Sequence, residues 1–203
     1  MIFSIAQLQT GTGKTTSAIH LAEYAARQGR TVVIDDDERK ANNNRALLPT
    51  LKQSERGAYT FDVVDGDTAN ITQLVNDYTT VIIDTEGNLS KDKLKLLART
   101  QLVIIPANAK STSLDSAAAT ARHLGEMYRI LFVDVDAATY KQLHHEFATR
   151  HGHPVFSSYI PHSDSLPELM SKGFTAFDDF RDNKHVADAY AQVWREIVDE
   201  VQV

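Results

Sequence analysis

The 203-residue chain carries 21 basic and 27 acidic side chains, a net charge of −6, with 42% hydrophobic and 24% charged residues and no cysteine. This is ordinary globular usage. It excludes disordered and collagen-like chains, disulfide scaffolds and thiolate metal sites, and its acidic balance argues against a constitutive nucleic-acid binder. No apolar run reaches the ~18 residues of a membrane span, and the first residues lack the basic and apolar regions of a signal peptide. A single domain over residues 1–203 in a reducing compartment, the cytoplasm, is therefore expected.

In chain order, short β-rich runs alternate with helical stretches. The first run, Ile2–Ala6, leads into a glycine-bearing turn and then a helix to about Gln28, with Ala18, Leu21, Ala22 and Ala25 on one stripe and Gly29 as its expected C-cap. Thr31–Asp35 is the second strand. Residues 41–70 are hardest to read: a short helix, a loop and an edge strand around FDVV are expected. Thr79–Asp84 is a third continuous apolar run, followed by KDKLK at 91–95, the solvated face of a helix. Gln101–Pro106 is the next strand, and Leu114, Ala118, Ala121 and Leu124 mark the next helical stripe. Arg129–Val135 and Val155–Tyr159 complete the strands. Asn183–Val201 reads as a surface helix turning Val186, Tyr190, Val193, Trp194 and Ile197 inward. Continuously apolar strands are those covered on both faces. The alternation predicts a three-layer α/β fold with a mostly parallel, twisted central sheet.

The first turn, TGTGKTT at 10–16, sits between a strand and a helix. Gly11 and Gly13 permit backbone conformations that other residues resist. Together with Thr12, Lys14, Thr15 and Thr16 they form the parts of a P-loop, although the first glycine of the strict pattern is Leu8. Backbone N–H groups and the helix N-terminus would cradle the phosphates of ATP or ADP. Lys14 would reach the β- and γ-phosphates, and the Thr15 hydroxyl would bind Mg²⁺. Two strands end in aspartates, VVIDDDERK and TVIIDTEGN. A carboxylate at the carboxyl end of a parallel strand faces the ligand crevice, so Asp84 fits a water-mediated Mg²⁺ role. Asp35 and Asp37 share a side if that strand continues, with Asp36 opposite; a solvated turn is the alternative reading of these three.

Five landmarks in this order resemble the ParA/MinD group of deviant Walker-A ATPases, most closely the small plasmid-partition proteins: TGTGKTT at 10–16, DDDER at 35–39, DTEG at 84–87, VIIPANAKS at 103–111 and YIPHSDSLPELMSKG at 159–173. The resemblance covers nearly the whole chain. It implies a P-loop NTPase fold and slow, partner-stimulated ATP hydrolysis. It also implies ATP-dependent homodimerisation that drives plasmid or chromosome partition or the positioning of another cargo. By the same resemblance Asp37 positions the attacking water and Asp35 assists the Mg²⁺ shell. Ile160 and Pro161 lie near the adenine, and FVDVD at 132–136 resembles a base-contacting strand end. Relatives bind DNA non-specifically and respond to a small adaptor protein.

Three residues depart from that pattern. The signature lysine, which in relatives reaches the partner's phosphates, is replaced by Gln9, the glycine that follows it by Thr10, and the proline of D-T-P-P by Glu86. A dimer would then need another cation. Lys110, just past the strand ending at Pro106, is the candidate; a surface lysine leading a helix capped by Ser111 is the alternative. The eight histidines form no metal-binding pattern. Lys172, Arg181, Lys184 and Arg195 could form a DNA-binding stripe, but acidic residues are interspersed among them. The acidic tail WREIVDEVQV is not a basic amphipathic membrane anchor. A small-molecule P-loop ligase, similar to dethiobiotin synthetases, and a nucleotide-gated scaffold that hardly hydrolyses ATP remain rival readings.

Overall fold

Each central strand alternates its side chains between two apolar cores. Leu102 and Ile104 join one core and Val103 and Ile105 the other; Ile82 faces the first, and Val81 and Ile83 face away from it. The computed structural model describes residues 1–36, 57, 59–179 and 181–201. Its elements run β1 (Ile2–Ile5), α1 (Lys14–Ala25), β2 (Thr31–Asp36), β3 (Asp62–Asp65), α2 (Ile71–Asp77), β4 (Thr80–Thr85) and α3 (Lys91–Leu97). They continue with β5 (Leu102–Ala107), α4 (Ser111–Ala121), β6 (Tyr128–Val135), α5 (Ala137–His144), β7 (Ile160–Pro161), α6 (Leu166–Ser171) and α7 (Lys184–Val201). After α5 the chain widens into a π-helical turn over His145–Arg150.

The strands form one seven-stranded sheet in the order β3-β2-β4-β1-β5-β6-β7, parallel throughout. Helices α1 and α7 cover one face, where Leu21, Tyr190, Val193, Trp194 and Ile197 pack with Phe3 and Ile104. On the other face, α4 packs through Ala117 and Ala121 and α2 through Ile71 and Leu74. This is the expected three-layer architecture. The first strand lies at the centre, so the turn after it opens at the carboxyl edge, where open α/β sheets bind ligands. Pro106 costs the sheet nothing. Ile104 accepts the N–H of Ala6, so by alternation the missing N–H of Pro106 faces β1 where that strand has already left the ladder.

The expected edge strand around FDVV is β3, paired with β2 only, while residues 41–56 and 58 of the hard-to-read stretch lie outside the described residues. Three local expectations need correction. The last strand is not Val155–Tyr159: Val155 makes a single bridge to Ile130, and pairing resumes at Ile160–Pro161. Helix α1 ends at Ala25, and Gly29 is not left-handed. A Cβ there would stand 2.7 Å from Thr79 Oγ1, so glycine serves close packing rather than capping. Finally, α4 buries Ser113, Ala117, Thr120 and Ala121 and leaves Leu114 and Ala118 half-buried, a face rotated from the expected stripe because small residues let the helix lie close to the sheet.

Candidate functional site

The loop between β1 and α1 owes its shape to two left-handed glycines. Gly11 has φ 72° and Gly13 φ 89°, values at which an L side chain is strained. Gly13 precedes the first helical residue, and a Cβ on it would stand 3.2 Å from Val133 Cγ2. The chain thus enters α1 with its first free N–H groups at the crevice. The loop's earlier half is tied to α4. Leu8 N–H donates to Thr120 Oγ1 at 3.1 Å, Gln7 Nε2 to Ser113 O at 3.1 Å, and Gln9 Nε2 to Thr112 Oγ1 at 3.3 Å. The Gln9 carbonyl accepts from Lys14 Nζ at 2.8 Å and from Thr12 Oγ1 at 3.3 Å.

Asp84 lies in β4 beside this loop and is 2% exposed. The Thr15 hydroxyl donates to its Oδ2 at 2.7 Å. Asp35, equally buried, stands opposite Asp84 in the β2–β4 register. The Thr15 hydroxyl, next to Lys14 in the chain, thus meets one strand-end carboxylate, with a second beside it in the sheet. That donor set suits Mg²⁺, which keeps most of its waters and takes few protein ligands. Among the described residues no group of three or more His, Asp or Glu side chains could hold a metal by itself. Asp37 lies outside the described residues.

A pocket of about 200 Å³ is lined by Thr10, Gly11, Gly13, Lys14, Thr15, Thr16 and Thr85. It shares Gly11, Gly13 and Thr16 with a cleft of about 460 Å³, whose walls include Val133, Ile160, Pro161, Leu166 and Met170, with Asn108, Asp134, His162, Ser163 and Asp164 among its polar members. A polar chamber opening into a mostly apolar slot fits a phosphate chain continued by a flat base. Ile160 and Pro161 thus share a cleft with the phosphate loop. Lys110 lines neither chamber. It is exposed at the N-cap of α4, its N–H donating to Oδ1 of the cleft residue Asn108 at 3.1 Å. Ser111 is the first helical residue rather than the cap, and Ser113 Oγ instead accepts the Asn108 N–H.

Several cleft residues received no role of their own in the sequence reading. Asn108, Leu166 and Met170 lie inside the landmarks at 103–111 and 159–173, but only the fold brings them to the cleft. Asp134, within the expected base-contacting segment, has φ 59°, the one positive value on a non-glycine among the described residues. His162 bridges it to Asp164, with Nδ1 2.5 Å from Asp134 Oδ1 and Nε2 2.9 Å from Asp164 Oδ1, and these two carboxylates raise the imidazole pKa. Beneath the loop, fully buried His20 holds Thr16 O through Nδ1 at 2.7 Å, accepts the Ala176 N–H on Nε2 at 3.1 Å, and stacks on Tyr190 at 4.6 Å. Burial lowers its pKa to about 4 and raises that of Tyr190. KDKLK is not wholly solvated: Lys93 is buried and bonded to Asp36, and only a long-range contact could have revealed this. Of the basic stripe, Lys172 pairs with Glu168 at 2.8 Å and Lys184 with Asp188.

No helix among the described residues is long and apolar enough to cross a membrane. Residues 3–176 match the CobQ/CobB/MinD/ParA nucleotide binding domain. The chromosome-partitioning ATPase Soj of Thermus thermophilus is 26% identical over 98% of this chain and 96% of its own length. A plasmid partition protein of Borrelia burgdorferi bound to AMPPNP superposes with a TM-score of 0.67 at 16% identity, covering 98% of this chain and 99% of that one. The MinD cell division protein of Aquifex aeolicus reaches 0.74 at 15% identity, over 98% and 96% of the two chains. A phosphate loop after a central strand, with strand-end aspartates at its side and a match spanning most of the sequence, makes this chain a member of the CobQ/CobB/MinD/ParA nucleotide-binding family.

Proposed function

We propose that the protein binds ATP or ADP with Mg²⁺ in this cleft and hydrolyses ATP slowly. Its ATP state controls a homodimer that partitions a plasmid or chromosome or positions another cargo in the cytoplasm, with a small adaptor protein as activator. One observation carries the reading: Thr15, in the wall of the phosphate chamber next to Lys14, already donates to Asp84 at 2.7 Å. The names of relatives support it, a chromosome-partitioning ATPase and an AMPPNP-bound plasmid partition protein.

In this reading the N–H groups of Gly11, Thr12, Gly13, Thr15 and Thr16 cradle the phosphates, and Lys14 pairs with the β- and γ-phosphates. Thr15, Asp84 and Asp35 hold Mg²⁺, which when bound neutralises charge developing on the transferred phosphoryl group. Asp37 orients the attacking water. Ile160 and Pro161 flank the base. Lys110 serves across the dimer seam, where Gln9 supplies no charge. A charge pair at about 4 Å and an effective dielectric of about 20 is worth about 4 kcal/mol before desolvation.

The test is an Asp37→Ala variant. ATP affinity should stay within about threefold of wild type while turnover falls about a hundredfold, because water positioning acts in the transition state. Its ATP-trapped form should have dimer mass, and adding Lys110→Ala should return monomers. Wild-type turnover in Asp37→Ala would refute the water role, and unchanged dimer mass in the double variant would refute Lys110. A wild type that binds ATP without hydrolysing it would favour the scaffold, and turnover dependent on a small acid or amine would favour the ligase.

DNA binding, if it anchors the protein to the nucleoid, is non-specific and tightest with ATP. Because Lys172 and Lys184 spend part of their charge on Glu168 and Asp188, binding should be weak and salt-sensitive. Paired replacement of Lys184 and Arg195 by alanine should weaken gel retardation about equally on all sequences. No retardation of wild type with ATP at low salt would remove the DNA branch.

A further inference from the structure

At the base end of the cleft, the apolar walls of Ile160, Pro161, Leu166 and Met170 suit the face of any flat base. The polar side chains there must therefore choose between bases. Ser163 Oγ is spent on Asn183 Oδ1 at 2.6 Å. Asn108 Oδ1 accepts the Lys110 N–H at 3.1 Å, which leaves Asn108 its N–H donors. The Asp164 side chain is fully exposed. Asp134 is the charged acceptor on the wall.

Successive residues of a strand face opposite sides of the sheet, yet Val133 and Asp134 both line the cleft. The ladder to β7 explains this. It pairs Val133 with Ile160 and Val135 with Pro161, with a shift of register between them, and Asp134 sits in that irregularity at φ 59°. Such a break re-aims a side chain. His162 Nδ1, 2.5 Å from Asp134 Oδ1, then fixes the carboxylate. An ionised carboxylate offers about four lone-pair sites, and the imidazole takes one of them.

A carboxylate accepts hydrogen bonds and donates none. The edge of guanine presents two adjacent donors, N1–H and the 2-amino group, which two carboxylate oxygens can accept side by side. The edge of adenine presents one donor, the 6-amino group, beside the bare N1 acceptor, which a carboxylate repels. We propose that Asp134 admits guanine nucleotides to this cleft, so that the protein binds GTP and GDP as well as ATP and ADP. The role rests on the nucleotide-binding part of the reading above, adds a second base to it, and is independent of hydrolysis.

Titration calorimetry with Mg²⁺ and ATP, GTP, ITP or XTP reads the base edge group by group. Wild type should bind GTP within about tenfold of ATP. ITP, which lacks the 2-amino group, should bind about tenfold more weakly than GTP, the loss expected for one hydrogen bond to a charged group. Asp134→Asn suits the left-handed backbone, which asparagine tolerates, and exchanges one acceptor for a donor. Its GTP affinity should fall about tenfold or more. XTP, with a carbonyl in place of the 2-amino group, should gain about tenfold, because the amide N–H now meets that oxygen. ATP affinity should rise as well, since the amide supplies a donor for N1. If the variant does not fold, the comparison of GTP with ITP on wild type carries the test. GTP binding more than about a hundredfold weaker than ATP would overturn the proposal and leave ATP binding in place. So would equal wild-type affinities for GTP and ITP, or a folded Asp134→Asn that keeps its GTP affinity. Wild type that binds none of the four would instead remove the nucleotide reading, and this role with it.

Discussion

Replacing Lys14 with alanine should lower ATP and ADP affinity by roughly two to four orders of magnitude. The side chain is 7% exposed, and its amine now rests on the Gln9 carbonyl at 2.8 Å. Phosphates in the adjoining chamber would offer it oxygens carrying full charge. Hydrogen bonds to charged groups contribute about 1.5–3 kcal/mol each, and two of them account for about 3–6 kcal/mol, the affinity range just given. The loop itself should survive, because Thr12 Oγ1 still donates to Gln9 O and both left-handed glycines remain. Titration calorimetry of wild type and variant, with circular dichroism to establish folding, makes the measurement. Equal affinities would remove nucleotide binding from this loop.

The second large effect belongs to His20. Burial depresses its pKa to about 4 from 6.5. Above pH 6.5 the ring is neutral whether the chain is folded or not, and its contribution to stability is complete. Between 6.5 and about 4 the unfolded chain takes up a proton that the folded chain refuses, so stability falls on acidification. The slope is about 1.4 kcal/mol per pH unit, reaching about 3 kcal/mol before the folded ring also protonates. Carboxylates titrate in the same range, so the comparison is with His20→Gln, which keeps polar groups at the site but cannot take the charge. Urea unfolding at pH 6.5, 5.5 and 4.5 should show the wild type losing stability faster than the variant by that slope. Parallel curves would mean that the ring is not held neutral by burial.

The phosphate loop was legible because its chemistry is local: Gly11, Gly13, Lys14 and Thr15 lie within one turn of chain. The parallel sheet was legible because strands covered on both faces are apolar without interruption. Residues 155–159 misled because burial there resembles a strand while, past the bridge at Val155 and the Phe156 N–H that Ile130 O accepts, the backbone is satisfied otherwise. Tyr140 Oη donates to Phe156 O at 3.0 Å and Ser157 O at 2.8 Å, and Glu196 accepts the N–H groups of Ser157 and Ser158 at 2.7 and 2.8 Å. Side chains, not a neighbouring strand, take these groups. Lys93 was misread for a related reason, since its partner Asp36 is 57 positions away and nothing in KDKLK announces it. The base end of the cleft combines residues from Asn108 to Met170 whose proximity follows only from the topology.

The central place of β1 has a consequence for how the molecule is made. Its two ladder partners are β4 and β5, so this strand stays unpaired until residues 80–107 have followed it. At about 5–20 residues per second that interval is roughly 5–20 s. Until then the glycine-rich turn has neither Asp84 to meet Thr15 nor α4 to anchor Gln7 and Leu8. Such long-range pairings are slow to form and leave apolar strands open to other chains. The turn is thus among the last parts of the candidate site to acquire its shape, because Asp84 and Thr120 follow their partners Thr15 and Leu8 by 69 and 112 positions.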